Sequence, residues 1–272
     1  MTRTEDKVTP EERFQFDLQG FLLLKNVLSA EECREILAAV RRAESKEYDD
    51  SPWLDYARRF GKPLPTKMKD PNSIRMNGLF RCDHVFDKLI DHPKVLPRLK
   101  EFMGDPQIIN TWSISKEKGH DAGNGWHRGL DPHHYSYRNG TIRSHMLNVV
   151  WFLTDNGPDD GCMTAVPGSH KNNIDLPWND YHGLKLPGAV AVTGKAGDVF
   201  MFSETVLHTG LPKTSAGTRT NLYFNFLHRY FGVGNFDATN LQHYYVPPHL
   251  RERFSPQQKE LTSWMELVKW NW

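Results

Sequence analysis

Apolar positions follow two different periods along the chain. Through the first hundred residues they recur every three or four positions, the spacing of one helix face. Thr9-Pro10-Glu11-Glu12 predicts a helix start, with Thr9 as N-cap, Pro10 at the first helical position and Glu12 reaching back as a capping box. Ser29-Ala30-Glu31-Glu32 repeats that signature, and Cys33, Ile36, Leu37 and Val40 then share one face of the helix it launches. Between the two helices, residues 20–24 read as a short apolar strand. Further helical pieces are predicted around 86–90 and over 93–103, the second stopped by Gly104.

From residue 108 the texture changes to short apolar or alternating runs, at 108–115, 143–154, 162–166, 189–192, 199–202 and 222–227. Gly, Pro, Asn and Asp separate them, as in Asn156-Gly157-Pro158-Asp159-Asp160-Gly161. Many short strands with such punctuation predict a sandwich or barrel rather than a parallel α/β sheet. Ser255-Pro256-Gln257-Gln258 caps a last helix expected to run to about residue 269. The predicted architecture is mainly β with flanking helices, a jelly roll. It forms a single domain over residues 1–272, with N-terminal helices in 9–105, the jelly-roll core at about 106–230 and a C-terminal helical extension over 231–272.

Composition narrows the function. Among 272 residues, 34 Lys+Arg face 33 Asp+Glu, a formal charge of +1. That balance argues against gripping nucleic acid or an anionic membrane by bulk charge. A hydrophobic fraction of 38% with 25% charged residues fits a globular chain rather than a disordered one. The longest apolar runs, such as 146–153, fall far short of the roughly 18 residues that span a bilayer, and no leader pattern opens the chain. Cys33, Cys82 and Cys162 lack a CxxC spacing, which predicts a reducing, cytoplasmic setting and no zinc–cysteine site. A small-molecule partner is expected, with no nucleic acid and no membrane. Oligomeric state is not specified: Trp264, Met265, Leu267, Trp270 and Trp272 could pack on the protein's own core or on a partner.

Of the 13 His, most need only a structural role, among them His133, His134, His182, His228 and His243. Two stand out by context. His127 leads into Arg128-Gly129-Leu130-Asp131-Pro132, and His208 follows the apolar run 199–202. Arg219 comes eleven residues after His208, at the start of the next strand. A His on an early strand, a His on a late strand and an Arg one strand further make a metal-plus-carboxylate pocket in a jelly roll. Two imidazoles suit Fe(II) with open positions for a 2-oxo acid, and an arginine clamps a carboxylate in a planar fork.

The segment 147–171, ending Gly161-Cys162-Met163-Thr164-Ala165-Val166-Pro167-Gly168-Ser169-His170-Lys171, resembles the phytanoyl-CoA dioxygenase (PhyH-like) family. Segments 20–28 and 197–219 share the resemblance, which spans most of 16–230. It implies a double-stranded β-helix (jelly roll, cupin-like) and an Fe(II)/2-oxoglutarate-dependent dioxygenase, with Fe(II), 2-oxoglutarate and O2 as cofactors. His127 and His208 are implied as iron ligands and Arg219 as the 2-oxoglutarate anchor. Trp112 and Asn148 are implied to line the cosubstrate pocket, and Arg75 to serve as a second basic contact. His170 remains a structural loop residue. The expected reaction is hydroxylation of an aliphatic C–H of a small molecule, whose identity kinship does not carry.

One position departs from the family pattern. The first ligand motif is His-x-Asp, whereas His127-Arg128-Gly129 offers no carboxylate. Three accounts compete: chloride occupies the open position, as in related halogenases; another acid fills it; or the site has lost metal and the chain is a binding or partner subunit. The candidate acids are Asp131 and Glu204. In an extended strand a residue four positions on lies roughly 13 Å away, so Asp131 must fold back, and a turn role before Pro132 is as natural. Glu204, four before His208, has a longer side chain beside an apolar run, where a lone carboxylate is costly. Glu204 is therefore the favoured pocket residue, as third ligand or substrate contact. A zinc hydrolase on the same His pair is a further alternative, against which Arg219 speaks. The aromatic segments 126–137, 178–182 and 223–236 are expected at the pocket rim, and Arg128 is expected to be a solvated surface arginine or to receive an anionic group.

Overall fold

Local capping chemistry starts the chain's helices where expected. In the computed structural model, which describes residues 6–50, 65–123, 125–230, 246 and 248–263, α1 (Pro10–Gln19) opens with the reciprocal Thr9–Glu12 bonds. Such a cap stabilises a helix end by about 1 kcal/mol. Gly20 closes α1 with φ 84°, and a Cβ there would collide with Val206 and His170. The chain then enters β1 (Phe21–Leu24). The Ser29–Glu32 box launches α2 (Ala30–Ser45), which buries Cys33, Ile36 and Val40.

Two strands follow that the apolar pattern did not reveal, β2 (Lys67–Asp70) and β3 (Ser73–Asn77). The short α3 (Leu79–Cys82) comes next; the helix expected at 86–90 is a 3-10 stretch over His84–Leu89, and α4 spans Leu96–Met103. The long β4 (Pro106–Lys116) precedes β5 (Tyr135–Arg138) and β6 (Thr141–Ser144). The run read as one strand over 143–154 breaks at His145, so β7 is Met146–Phe152. After it come β8 (Met163–Ala165), β9 (Val190–Val192), β10 (Val199–Ser203), β11 (His208–Gly210) and β12 (Arg219–His228). Short helices α5 (Pro248–Arg251) and α6 (Pro256–Leu261, capped by Ser255 and Gln258) end the described residues. The last helix ends at Leu261 with Thr262 as its C-cap, short of the expected residue 269; the tryptophan anchors and most of the 231–272 extension lie outside the described residues, as do His243 and residues 231–236 of the expected rim.

Seven strands form an antiparallel sheet in the order β1-β10-β7-β12-β4-β3-β2, facing a smaller sheet β11-β8-β9, with β5-β6 as a separate hairpin. Strand alternation splits the side chains of the large sheet between two environments. Leu222, Phe224 and Phe226 of β12, with Leu147, Val149 and Trp151 of β7, pack against the N-terminal helices in one core. Val150, Phe152, Phe200 and Phe202 point the other way and meet Met163, Ala165 and Val192 of the small sheet. This is the jelly roll, mostly antiparallel β with few helices. Among the described residues no helix is long and apolar enough to cross a membrane.

Candidate active site

The inward faces of β4 and β12 continue beyond the second core into a cavity of ≈ 380 Å³ between the sheets. On β4 the alternating Trp112, Ile114 and Lys116 face it, and on β12 Arg219, Tyr223 and Asn225. The register sets Arg219 opposite Lys116 and Tyr223 opposite Trp112. Arg75 enters from β3, opposite Ile114, and Asn148 from β7, opposite Asn225.

His127 and His208 meet at the mouth. An isolated antiparallel bridge joins their backbones, with N–H···O bonds of 3.0 and 3.1 Å, and their ring centroids lie 4.3 Å apart. His127 Nδ1 bonds the Gly125 carbonyl at 2.8 Å, and His208 Nδ1 the Val206 carbonyl at 2.9 Å. A carbonyl can only accept, so in each ring Nδ1 carries the proton and Nε2 keeps its lone pair, the tautomer a metal-ligating histidine needs. Burial, then the neighbouring His127, lowers the His208 pKa to about 3, so the ring is neutral.

Glu204 sits one turn before His208 and is fully buried. Burial raises its pKa to about 7, against the pull of hydrogen bonds from the Asn148 side chain and the Gly129 N–H. Its backbone carbonyl accepts the N–H groups of Gly129 and Leu130 at 2.8 and 3.1 Å. Its side chain lies directly over Gly129: a Cβ built at 129 would stand 2.5 Å from Glu204 Oε2. An aspartate's own oxygens lie about 2.4 Å from its Cβ by standard bond lengths. Glu204 thus holds an oxygen at the distance from position 129 that a His-x-Asp carboxylate would have. Among the described residues, no three His, Cys, Asp or Glu side chains close into a ready-made metal cage; the two imidazoles and Glu204 line one cavity without converging that far.

At the inner end Arg219 is 1% exposed and has no acidic partner among the described residues. Its guanidinium donates to neutral acceptors, the carbonyls of Asp160 and Gly161, the Tyr223 hydroxyl and the Asn221 amide oxygen. Arg75, whose pKa burial lowers to about 10, donates to Asn77 Oδ1 at 2.8 Å and lies over Trp112 at 4.8 Å; Trp112 in turn stacks on Tyr223 at 5.1 Å. Trp112 Nε1, Asn148 Oδ1 and Asn225 Oδ1 are buried polar atoms with no hydrogen-bond partner among the described residues. Buried groups left so are uncommon in native proteins and mark where a ligand belongs. The donor set fits a divalent metal at the imidazole end and an organic acid reaching the arginine end.

The structure thus gathers His127, His208, Glu204, Arg219, Asn148, Trp112 and Arg75 around one cavity. Asp131 is not among them: it is exposed and begins the 3-10 turn Pro132–His134, its carbonyl accepting from the His134 N–H. The aromatic rim is also different from expectation. Trp126 packs away from the cavity against Leu186 and Leu207, and Trp178 lies 5.0 Å beneath Arg128. Arg128 is not a solvated arginine: it bonds Asp175 and Asn172 at 2.8 and 2.7 Å and the Ser169 carbonyl, clasping the loop after β8. His170 is buried, bonded to the Asp17 carbonyl at 3.1 Å, and docks α1. Tyr223 and Asn225, within the segment 223–236 expected at the rim, do line the cavity; sequence reasoning missed Lys116, whose only signal is alternation with Trp112.

The phytanoyl-CoA dioxygenase (PhyH) family model matches residues 16–221, from α1 to the third residue of β12. The chain belongs to the phytanoyl-CoA dioxygenase family. It is a non-haem Fe(II)/2-oxoglutarate-dependent dioxygenase by that membership. Ectoine dioxygenase of Nocardia farcinica (strain IFM 10152) is 23% identical over 246 residues, covering 81% of this chain and 78% of its own length. L-proline trans-4-hydroxylase of Streptomyces griseoviridis is 21% identical over 233 residues, covering 65% and 87%. HygX from Streptomyces hygroscopicus, solved with nickel and 2-oxoglutarate bound, superposes with a TM-score of 0.66 at 20% identity, covering 82% and 89%; the same protein has been solved with iron. The fold of this PhyH-family chain is that of these structures.

Proposed function

We propose that the chain hydroxylates an aliphatic C–H of a small molecule, with His127, His208 and Glu204 holding the metal and Arg219 anchoring 2-oxoglutarate. The observation that carries the reading is Glu204 Oε2 at 2.5 Å from a Cβ built on Gly129. That contact supports a carboxylate supplied from the neighbouring turn in place of the one missing from His-x-Gly. The halogenase alternative requires the volume beside Gly129 open, and the Glu204 carboxyl there supports hydroxylation as the leading reading.

Fe(II) with 2-oxoglutarate and O2 supplies the oxidising power, which no side chain can. The protein's residues bind and orient. Each imidazole presents Nε2 because a backbone carbonyl holds its Nδ1–H. Asn148 steadies the Glu204 carboxyl. Arg219, unpaired and buried, receives the far carboxylate of the cosubstrate; Trp112 and Arg75 form the adjoining wall. The free amide oxygens of Asn148 and Asn225 offer acceptors to a polar substrate. Relatives named for ectoine and proline act on small molecules, and a cavity of ≈ 380 Å³ suits that scale. Cys33, Cys82 and Cys162 are all free, which supports a reducing, cytoplasmic setting.

The test is anaerobic titration of the Fe(II)-loaded protein with 2-oxoglutarate, followed by the visible charge-transfer band with and without chloride. A band insensitive to chloride is expected. A band that shifts with chloride would instead make the chain a halogenase, and no band would make it a degenerate subunit.

A further inference from the structure

We propose that the substrate carries an amine, held by the side-chain oxygens of a row of three asparagines, Asn148, Asn225 and Asn110. The inference names a substrate class for the site proposed above and rests on that reading. Asn225 of β12 is the cross-strand partner both of Asn148 on β7 and of Asn110 on β4. Directly opposed residues share one face of a sheet, so the three carboxamides stand side by side across three strands. The row lies two residues along from the Trp112–Tyr223 pair, on the cavity side. Asn148 and Asn225 line the cavity and Asn110 stands next in the row. They are 4%, 8% and 8% exposed, and the Oδ1 of each has no hydrogen-bond partner among the described residues. One buried acceptor left so is uncommon; three in register present a surface built for a donor.

Strand spacing indicates which donor. Neighbouring strands run about 4.7–4.9 Å apart. Two acceptors that each lie about 2.9 Å from one tetrahedral nitrogen are themselves about 4.7 Å apart. A nitrogen with two or three hydrogens therefore bridges adjacent oxygens of the row. A hydroxyl has one proton and serves one oxygen, and a carboxylate has none. The Asn148 amide N–H is taken by the Glu204 carboxyl, which leaves its oxygen as the end for a ligand. Glu204 is the one acid lining the cavity among the described residues, and its place beside the row favours a cation there. Arg219 is six residues from Asn225 along β12, roughly 20 Å at strand rise. A five-carbon diacid spans about 5–6 Å at standard bond lengths, so a cosubstrate held by Arg219 does not reach Asn225. An amine on the row, by contrast, sets its neighbouring C–H beside the proposed metal ligands.

The experiment is calorimetric titration of the anaerobic protein, loaded with Fe(II) and 2-oxoglutarate, with cyclohexylamine, cyclohexanol and cyclohexanecarboxylate, one ring with three head groups. The amine, protonated at neutral pH, is expected to bind about 10- to 100-fold more tightly than the alcohol, as for one hydrogen bond to a charged group, and the acid most weakly. Asn225→Leu should bring the amine down to the level of the alcohol. Asn225→Asp should bind the amine more tightly than wild type, a gain that a merely structural asparagine would not give. The Asp variant also carries the test if Asn225→Leu misfolds. Alcohol or acid bound as tightly as the amine would overturn the inference. So would amine binding indifferent to both changes at 225, as when the amine sits on iron instead. The 2-oxoglutarate charge-transfer band is recorded first on the same sample. No band removes the underlying reading, whereas a normal band with no preference for the amine removes this inference alone.

Discussion

Gly129→Asp forces two carboxyl groups into one volume. A Cβ at 129 would lie 2.5 Å from Glu204 Oε2 and 3.1 Å from its Cβ and Cδ, where ordinary contact begins at 3.4 Å. The backbone at 129 lies outside the left-handed region, so the obstacle is Glu204 rather than backbone strain. Overpacking of this kind costs about 1–3 kcal/mol, and a second buried acid beside the first adds repulsion. Glu204→Ala empties the volume. Combining the two changes puts one carboxylate back, now in the family's His-x-Asp arrangement. The double variant should therefore be more stable than Gly129→Asp alone, with a coupling energy of about 1–3 kcal/mol in a denaturant cycle.

Iron affinity supplies an independent arm. Losing a group that merely hydrogen-bonds a ligand costs roughly 10- to 100-fold in metal affinity; Glu204→Ala, which removes the ligand proposed above, should exceed that. The double variant should recover most of it in anaerobic Fe(II) calorimetry. Stability effects that add within about 0.5 kcal/mol would mean that positions 129 and 204 do not compete. Wild-type iron affinity in Glu204→Ala would remove Glu204 from the metal centre.

Other expectations can be checked separately. His127→Ala and His208→Ala should each abolish stoichiometric Fe(II) binding, and retained iron in either would reject that histidine as a ligand. Arg219→Ala should weaken 2-oxoglutarate by about 1.5–3 kcal/mol, the worth of a charge-assisted bond; an unchanged titration removes Arg219 from the cosubstrate site. Burial, and next Lys171, lowers the His170 pKa to about 4, below the roughly 6.5 of an unfolded chain. The unfolded state takes up this proton first, so the His170 contribution is intact above about pH 6.5 and declines towards pH 4, at up to about 1.4 kcal/mol per pH unit. His170→Gln should flatten the melting-temperature profile across that window, and an unaltered slope would contradict the assignment. Arg128→Ala should speed amide exchange in residues 172–178, which lose their clasp; unchanged protection there would show that the loop holds itself.

What the sequence disclosed was mostly local. The capping boxes at Thr9, Ser29 and Ser255 need only residues three apart, and all three form. The apolar runs of β7, β10 and β12 announce themselves because they are buried on both faces. β2, with sequence Lys-Met-Lys-Asp, is an edge strand with no apolar alternation, and nothing in its pattern separates it from a loop. Arg128 was read as solvated because its partners lie 41 to 47 residues away. Lys116 belongs to the cavity through register alone: one residue's slip between β4 and β12 would turn it to the opposite face, beside Ser115, Thr220 and Arg41.

Gly129 and Glu204 show why the site was harder to read than the fold. Taken singly, a glycine in His-x-Gly signals a vacancy, and the apolar run before Glu204 favours it as a pocket residue without saying which position it fills. The His127–His208 bridge and the Gly129 and Leu130 N–H bonds to the Glu204 carbonyl bring the two positions side by side. Each then explains the other. Any side chain at 129 would displace the Glu204 carboxyl, and without that carboxyl the glycine would leave a hole between the imidazoles and Asn148. On the function proposed above, the ligand has moved from the strand to the adjoining turn while its oxygen stays near the same point. A motif written along the chain registers this as a loss, although in space it is a substitution.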